Sequence, residues 1–368
     1  MKNFLLKLFM FLVVLLALQA VISLDWQISP AKLASSGWCM NLFNLASVSI
    51  PDPDFYNAGP EIAFIQEHLK PHPSMGFLWK ENIDTSDEVV IQWGDVPSGA
   101  LSTDRFGFAN VPEAIELSKT GRKVDIVGVG ASFLAGAQGL FHEYFWIKDY
   151  FYYNMAQSRF TIPQFNAALL ETALQLKPDW VVYELNEVSF VMIDDYENWK
   201  KSGINWFTYH CGSWCGPALK TGFPHDQLRR FARPLHGVYT SLNRKLFRPS
   251  LDLKPAQKKK LVEKTINYIK EAHAAASEAG AGFILLCIPD KGRMINGPSP
   301  KYYLFEEVIP ALKGTGINII DLREPFSKAD DPRQLYFQID NHWNRQGIYI
   351  AAKEVLSVIR NKELSLKE

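Results

Sequence analysis

A serine, a histidine and an aspartate that together could form a nucleophilic site occur at two widely separated turns of the chain. Ser132 follows a short apolar run, residues 124–129, while Asp340 and His342 lie just before the last predicted helix. A serine hydroxyl becomes a strong nucleophile when a histidine removes its proton and a carboxylate orients the imidazole. Residues two apart in an extended segment project from the same face, so Asp340 and His342 could approach one hydroxyl together.

Either pattern alone is weak, because Gly-x-Ser turns and Asp-x-His pairs often have structural roles. Their joint placement is more informative, since open α/β sheets bind ligands at the carboxyl ends of their strands. Asn186 follows a third apolar run, residues 180–185, and reaches the same edge. Its amide could donate to an oxyanion together with the backbone N–H of Ser132. The alternative is that Asn186 only caps the following turn.

Apolar runs that alternate with amphipathic segments predict the elements that position these residues. From residue 122 onward this alternation implies a parallel sheet with helices on both faces. Upstream, an apolar run between turn-rich patches predicts a small β-rich cap, and the aperiodic segment 191–250 reads as an insertion that carries specificity. The predicted strands are 88–93 in the cap and 124–129, 151–154, 180–185, 282–288 and 317–321 in the sheet; the predicted helices are 162–176, 255–279, 302–309 (stopped or kinked by Pro310) and 345–360.

From residue 122 to about 360 the chain resembles the SGNH (GDSL-like) hydrolase family. That family places its serine in a Gly-Asp-Ser turn after the first strand, an oxyanion Asn after the third, and Asp and His near the C-terminus. The matching residues are Ser132, Asn186, Asp340 and His342, and the Asp-x-His-Trp-Asn-x-x-Gly run is the most specific signal. The resemblance implies a three-layer α/β/α, flavodoxin-like fold with a five-stranded parallel sheet. Patches at 71–77 and 105–108 resemble segments of exported bacterial members.

Two departures from the family pattern bear on activity. Ala131 stands where the family has Asp, which makes the turn similar to the Gly-Thr-Ser form of alginate O-acetyltransferases. In those anchored or periplasmic proteins an Asp-x-His-Trp segment precedes the serine, whereas here it follows. The family's second oxyanion donor is a Gly N–H after the second strand, and the aligned position here is Ser158 or Arg159. A backbone N–H or the Arg159 guanidinium would have to replace it.

The N-terminus predicts export. Residues 8–24 are apolar except for Gln19 and Ser23, and Lys2 and Lys7 precede them. This length lies between a signal-peptide core and a full membrane span, and the preceding lysines favour a cytoplasmic N-terminus. Residues 1–24 are therefore predicted to be a membrane anchor or signal peptide, with an uncleaved anchor favoured because cleavage signals are poor. Residues 25–121 would form an extension or cap, and 122–362 the SGNH-like domain.

The cysteines are few for an exported chain. Cys211 and Cys215 lie in a Gly-containing loop and are predicted to pair in an oxidising compartment. Cys287 lies within an apolar strand and is predicted to be a buried thiol. A zinc site formed by His210, Cys211, Cys215 and His225 is the weaker alternative, because their spacing matches no reliable pattern.

These features favour an exported serine acyl-ester enzyme, either an esterase or an O-acetyltransferase, acting on a cell-envelope or extracellular glycan. Its partners would be an acyl ester, a glycan, the membrane through the anchor, and a membrane acyltransferase; no cofactor or metal is expected. Lys plus Arg equals Asp plus Glu at 39 each, which argues against nucleic-acid binding. Aromatic residues of the insertion could stack on sugars or fill a local core: Trp199, Trp206, Tyr209 and Trp214. The alternative is a non-catalytic SGNH-fold envelope protein that binds glycan or a partner.

Overall fold

The computed structural model describes one unit of the chain, within His68–Gly203 and Asp252–Glu368. The described residues are 68–85, 91–93, 96–99, 101–186, 193–203, 255–297, 304–338 and 341–365. Several predictions concern residues outside these ranges and stay predictions: the anchor at 1–24, the Cys211–Cys215 pair and its zinc alternative with His210 and His225, the aromatic residues Trp206, Tyr209 and Trp214, and Asp340. The predicted domain boundaries also stay predictions.

Two antiparallel hairpins form the β-rich region that precedes the main sheet, as predicted. β1 (Leu69–His72) pairs with β2 (Gly76–Trp79), and β3 (Ile91–Trp93) pairs with β4 (Val96–Gly99). The following segment is fixed to the main domain by Asn110. Its amide donates to the carbonyl of Asn154 at 3.0 Å and accepts from the Asn154 N–H at 2.8 Å.

A five-stranded parallel sheet forms the centre of the domain and confirms the predicted fold class. Its strands are β5 (Ile126–Val129), β6 (Tyr152–Asn154), β7 (Trp180–Asn186), β8 (Gly282–Ile288) and β9 (Asn318–Asp321), in the spatial order β6-β5-β7-β8-β9. This is a doubly wound order. The chain adds β6 on one side of β5 and then β7, β8 and β9 on the other side, so the topological switch point lies between β5 and β7. Ligands of such sheets bind at the carboxyl ends of these two strands.

Helices cover both faces of this sheet. They are α1 (Pro112–Lys119), α2 (Ser132–Trp146), α3 (Ile162–Glu171), α4 (Ile193–Ser202), α5 (Pro255–Glu278), α6 (Lys291–Asn296), α7 (Leu304–Leu312), α8 (Arg323–Ser327) and α9 (Arg345–Ser365). On one face α2 packs against α9, and buried residues such as Phe141 and Val355 share a core with Ile126 and Val182. On the other face α5 packs against α3 and α7. The result is a three-layer α/β/α domain.

Five helices of the described residues were not predicted, namely α1, α2, α4, α6 and α8, and three predicted helices have other bounds. Helix α2 was not predicted, because Gly136 and Gly139 in its interior disfavour helix. Helix α7 continues to Leu312 instead of stopping at Pro310. The proline removes one intrahelical hydrogen bond, and burial of the helix's apolar face offsets this loss. Helix α3 is shorter than predicted and is followed by a 3₁₀ turn, Ala173–Leu176, whereas α9 extends to Ser365.

Two further observations concern the predicted anchor and insertion. No helix in the part of the chain that the structure describes is long and apolar enough to cross a membrane, and residues 1–24 lie outside that part. Trp199, in the first helix of the predicted insertion, is only 4% exposed and packs edge-on against Tyr196. It therefore fills a local core, and the idea that it stacks on a sugar is wrong. Cys287 is fully buried in β8, as expected.

Candidate active site

Ser132 and His342 meet at the carboxyl edge of the sheet. Ser132 is the first residue of α2, directly beyond β5, and is partly exposed. His342 lies just before α9, and its Nε2 is 2.7 Å from Oγ of Ser132. With Nε2 unprotonated, the serine hydroxyl donates to the imidazole, which is the geometry that a general base needs. The imidazole also packs against the ring of Phe133, with 4.8 Å between the ring centres.

A tight chain reversal holds the imidazole in place. Tyr336 pairs with Trp343 in an isolated antiparallel bridge, and the N–H of Phe337 donates to the carbonyl of His342 at 3.1 Å. The indole N–H of Trp343 donates to the carbonyl of Phe133 at 3.0 Å. Trp343 is nearly fully buried, so the residue beside the base is fixed to the residue beside the nucleophile.

Lys291 fixes the other end of this reversal. It is the first residue of α6, and its ammonium donates to the carbonyls of Phe337 and Gln338 at 2.5 and 2.6 Å. The predicted partner of the base, Asp340, follows two residues later and lies outside the described residues. Its role as the carboxylate of a triad stays a prediction.

A buried carboxylate lies beneath the nucleophile. Glu184 of β7 is 0% exposed, and its Oε2 accepts the N–H of Ala131 at 2.8 Å and the N–H of Leu134 at 3.1 Å. Its Oε1 accepts from Nδ2 of Asn186 at 2.7 Å. Burial raises the pKa of Glu184, while these three hydrogen bonds and the nearby His342 lower it.

The glycine before the nucleophile makes room for this carboxylate. A Cβ placed on Gly130 would lie 2.4 Å from Cβ and 2.5 Å from Oε2 of Glu184. Real Cβ atoms do not tolerate such distances. Close approach of a neighbouring side chain, rather than of a ligand, therefore explains the Gly of the Gly-x-Ser turn.

The amide of Asn186 lies in the same layer. Asn186 is the last residue of β7 and is 4% exposed. The residues that follow it lie outside the described ranges, so the alternative that it caps the next turn stays a prediction. In α2 the first intrahelical bond runs from the Ala135 N–H to the Ala131 carbonyl. The N–H groups of Ser132 and Phe133 therefore have no partner within the helix. One or both can serve a developing negative charge beside the serine.

The turn after β6 takes the conformation that a glycine would favour, although no glycine is present. The N–H of Phe160 donates to the carbonyl of Gln157, and Arg159 between them has a φ of +67°. The N–H of Gln157 donates to the carbonyl of Gly130 at 3.1 Å, so the turn lies beside the nucleophile. Arg159 is exposed. Its role as second oxyanion donor, through the backbone or the guanidinium, stays a prediction, and the same holds for Ser158.

Sequence reasoning missed Glu184 and Lys291. The available signal for Glu184 was that an acidic residue occurs inside an otherwise apolar run. In the structure, all seven residues of β7 are buried. Lys291 gave no such signal, because lysine at the start of a helix is normally a solvated surface residue. Among the described residues, no group of His, Cys, Asp and Glu could hold a metal ion.

The fold and the site define a three-layer α/β/α protein with a serine–histidine pair at the carboxyl edge of its sheet. Residues 243–368 match the family described as SGNH hydrolase-like domain, acetyltransferase AlgX. This match covers 126 of the 368 residues, and over that segment the chain is similar to the SGNH hydrolase-like family. The matched segment contains Asp340 and His342 but not Ser132, which the fold brings to His342 from outside that segment.

Three solved structures are among those similar to this chain. A GDSL-like lipase from Bacteroides thetaiotaomicron shares 13% identity and a TM-score of 0.39, over 68% of this chain and 98% of that chain. TesA shares 15% identity and a TM-score of 0.38, over 64% and 98%. LAE5, an alpha/beta hydrolase from the metagenome of Lake Arreo, Spain, shares 17% identity and a TM-score of 0.37, over 64% and 94%. A comparison with curated proteins found no match.

Proposed function

We propose that this protein is a serine-dependent acyl-ester enzyme, either an esterase or an O-acetyltransferase. The observation that carries the proposal is the 2.7 Å contact between Nε2 of His342 and Oγ of Ser132. The two side chains are 210 positions apart in the sequence and meet at the edge of the sheet where doubly wound folds bind ligands. The similarity of residues 243–368 to an SGNH hydrolase-like domain supports the same reaction class.

In the proposed mechanism, Oγ of Ser132 attacks the carbonyl carbon of an acyl ester while its proton passes to Nε2 of His342. The resulting oxyanion accepts from the Ser132 N–H and from Nδ2 of Asn186. The tetrahedral intermediate then breaks its bond to the alcohol oxygen, which takes the proton from His342. Water or a second hydroxyl attacks the acyl-serine by the same path and releases the serine. Asp340 would hold the imidazole in the required tautomer.

The proposed target is a cell-envelope or extracellular glycan, which would accept an acetyl group from a transferase or lose one to an esterase. The proposed location is the extracytoplasmic side of a membrane. Both rest on the sequence, namely on the apolar segment 8–24 after Lys2 and Lys7 and on the resemblance to polysaccharide acetylation proteins. A reporter that is active only in the cytoplasm, fused after Glu368, should stay silent. Strong reporter activity would contradict export.

The catalytic proposal is tested by combining a fluorophosphonate probe with hydrolysis of a chromogenic acetyl ester. The wild-type protein should be labelled at Ser132, and Ser132→Ala should abolish labelling and turnover. His342→Ala should also lose most activity, and the double variant should lose little more, because residues that act as a unit are not additive.

Matched controls remove the same residue types elsewhere. Ser327→Ala changes an exposed serine on α8. His273→Ala changes a histidine of α5, a helix on the sheet face opposite α2, and this histidine packs against Phe283 of β8. Both should keep wild-type labelling. Full turnover by a correctly folded Ser132→Ala variant would refute Ser132 as the nucleophile. Absence of both labelling and turnover in the wild-type protein would refute the enzyme proposal and favour a non-catalytic binding protein.

A further inference from the structure

The start of helix α2 has no capping side chain of its own. The N-cap position is Ala131, which offers no oxygen, yet the first N–H groups of a helix need acceptors when they are buried. The acceptor comes from a residue some fifty positions along the chain. Oε2 of Glu184 accepts both the N–H of Ala131 and the N–H of Leu134.

The second oxygen of the same carboxylate acts on a different group. Oε1 of Glu184 accepts from Asn186. A carboxylate only accepts hydrogen bonds, so the side of the Asn186 amide that faces it must be nitrogen. The carboxylate thus fixes which way the amide points, and with it the place of the remaining N–H of Nδ2.

We propose that Glu184 is the positioning residue of the oxyanion site: one oxygen holds the turn that carries the Ser132 N–H, and the other orients the Asn186 amide. This inference rests on the proposed function, because it assigns Glu184 a role in that same reaction. Glu184 lies beneath the turn and acts through its two partners, without contact to the substrate.

The cost of this arrangement indicates more than a stabilising role. An ionised carboxylate in a buried site is expensive unless several donors surround it. A Ser, Thr, Asp or Asn at position 131 would cap the helix locally at no such cost. What a local cap cannot do is tie the first turn of α2 to Asn186 on the neighbouring strand. The carboxylate at position 184 does both.

Glutamine at position 184 separates the two effects. Its single carbonyl oxygen can take over both backbone N–H groups, but its NH₂ group then faces the amide of Asn186. Because two NH₂ groups repel, the Asn186 amide must turn over and present oxygen to position 184. Glu184→Gln should therefore keep the cap and lose the orientation of Asn186, whereas Glu184→Ala should lose both.

The experiment measures kcat and KM for acetyl-ester hydrolysis, the melting temperature, and amide hydrogen exchange of the peptide containing residues 131–134. For Glu184→Gln we expect kcat to fall about 10²-fold, the order reported for loss of one oxyanion donor, with KM and amide exchange nearly unchanged. For Glu184→Ala we expect at least the same loss and faster exchange in this peptide. Adding Glu184→Gln to Asn186→Ala should lower kcat little beyond Asn186→Ala alone, since both act through one amide.

Tyr183→Phe is the matched control. Tyr183 precedes Glu184 on β7, is equally buried, and its hydroxyl bonds with Asn166 of α3 on the opposite face of the sheet. This variant should lower the melting temperature without changing kcat.

The outcomes separate the two proposals. If the wild-type protein labels and turns over while Glu184→Gln keeps kcat within about threefold, the positioning role is wrong and the enzyme proposal stands. Fully additive losses in the double variant would also refute it. If the wild-type protein neither labels nor turns over, the enzyme proposal fails and the positioning role fails with it.

Discussion

At Gly130, the volume that a side chain would need is already occupied. Glu184 fills it, with Cβ and Oε2 each within 2.5 Å of where a Cβ would lie. Gly136, one and a half turns into α2, has no atom within 4 Å of the same position. A side chain is therefore excluded at position 130 but has room at position 136, only six residues away.

We predict that Gly130→Ala lowers the free energy of unfolding by about 1–3 kcal/mol, the usual cost of overpacking, and lowers kcat because the carboxylate must move. Gly136→Ala should instead raise the free energy of unfolding by roughly 0.5–1 kcal/mol, because glycine disfavours the interior of a helix. Urea denaturation of both variants, with kcat measured on the same samples, tests the pair. A Gly130→Ala protein as stable and active as the wild type would contradict the contact with Glu184.

The apolar run before Ser132 was enough to predict that this serine lies at the carboxyl edge of the sheet. The element that brings His342 to the same edge was not predicted, because the base follows no sheet strand and is positioned by the reversal before α9. The same reasoning could not find Glu184. A buried polar residue is recognised by the donors around it, and the two backbone donors here come from another strand-to-helix turn. No residue near position 184 in the sequence indicates where these donors are.

At the scale of elements, the reversal between the 3₁₀ turn Pro332–Leu335 and α9 positions the base, and Lys291 of α6 fixes it. Hydrogen bonds from a charged donor contribute roughly 1.5–3 kcal/mol, so losing two of them should loosen this segment. Displacement of a catalytic group by about 1 Å can cost on the order of 10²-fold in rate.

We therefore predict that Lys291→Met lowers kcat for the acetyl ester by about 10-fold or more, with a smaller effect on KM. The control Lys328→Met removes an exposed ion pair with Glu324 and should change neither constant. Steady-state kinetics of both variants at matched folded concentration is the measurement. Equal kcat values for the two variants would show that the ammonium does not hold the base.

All five sheet strands could be predicted from the sequence, because a parallel strand covered on both faces is a continuous apolar run. Helix ends and helix α2 could not be predicted equally well. Glycine at positions 136 and 139 opposes helix locally, but packing of Phe141 and Phe145 against the sheet and α9 outweighs it. Tertiary burial overrode propensity there.

The stability of the whole domain should depend on pH through Asp104. This residue is 1% exposed and accepts the N–H groups of Phe106 and Phe108, at 2.8 and 2.9 Å. Burial raises the pKa of Asp104 from its ordinary value of 3.8 to about 6, although these hydrogen bonds oppose the shift. Between these two values the folded state binds more protons than the unfolded state.

We predict that the contribution of Asp104 to the free energy of unfolding is fully present below about pH 4 and is lost as the pH rises through 6. The difference corresponds to roughly 3 kcal/mol, at about 1.36 kcal/mol per pKa unit. Asp104→Asn should remove this slope, so that the difference between wild type and variant changes from pH 4 to pH 7. Chemical denaturation across that range tests the sign, with the exposed Asp330→Asn as control. Parallel profiles for wild type and Asp104→Asn would contradict it.

The contact between Ser132 and His342 joins residues 210 positions apart. During synthesis, the ribosome releases the nucleophile turn and Glu184 long before it releases the base. We expect nascent chains that end before residue 342 to carry an unreactive serine, however well their first strands have folded. If the protein acts on acetyl esters, its reactivity would therefore switch on only after residue 342 has been synthesised, and a gene product truncated before that residue would be inert.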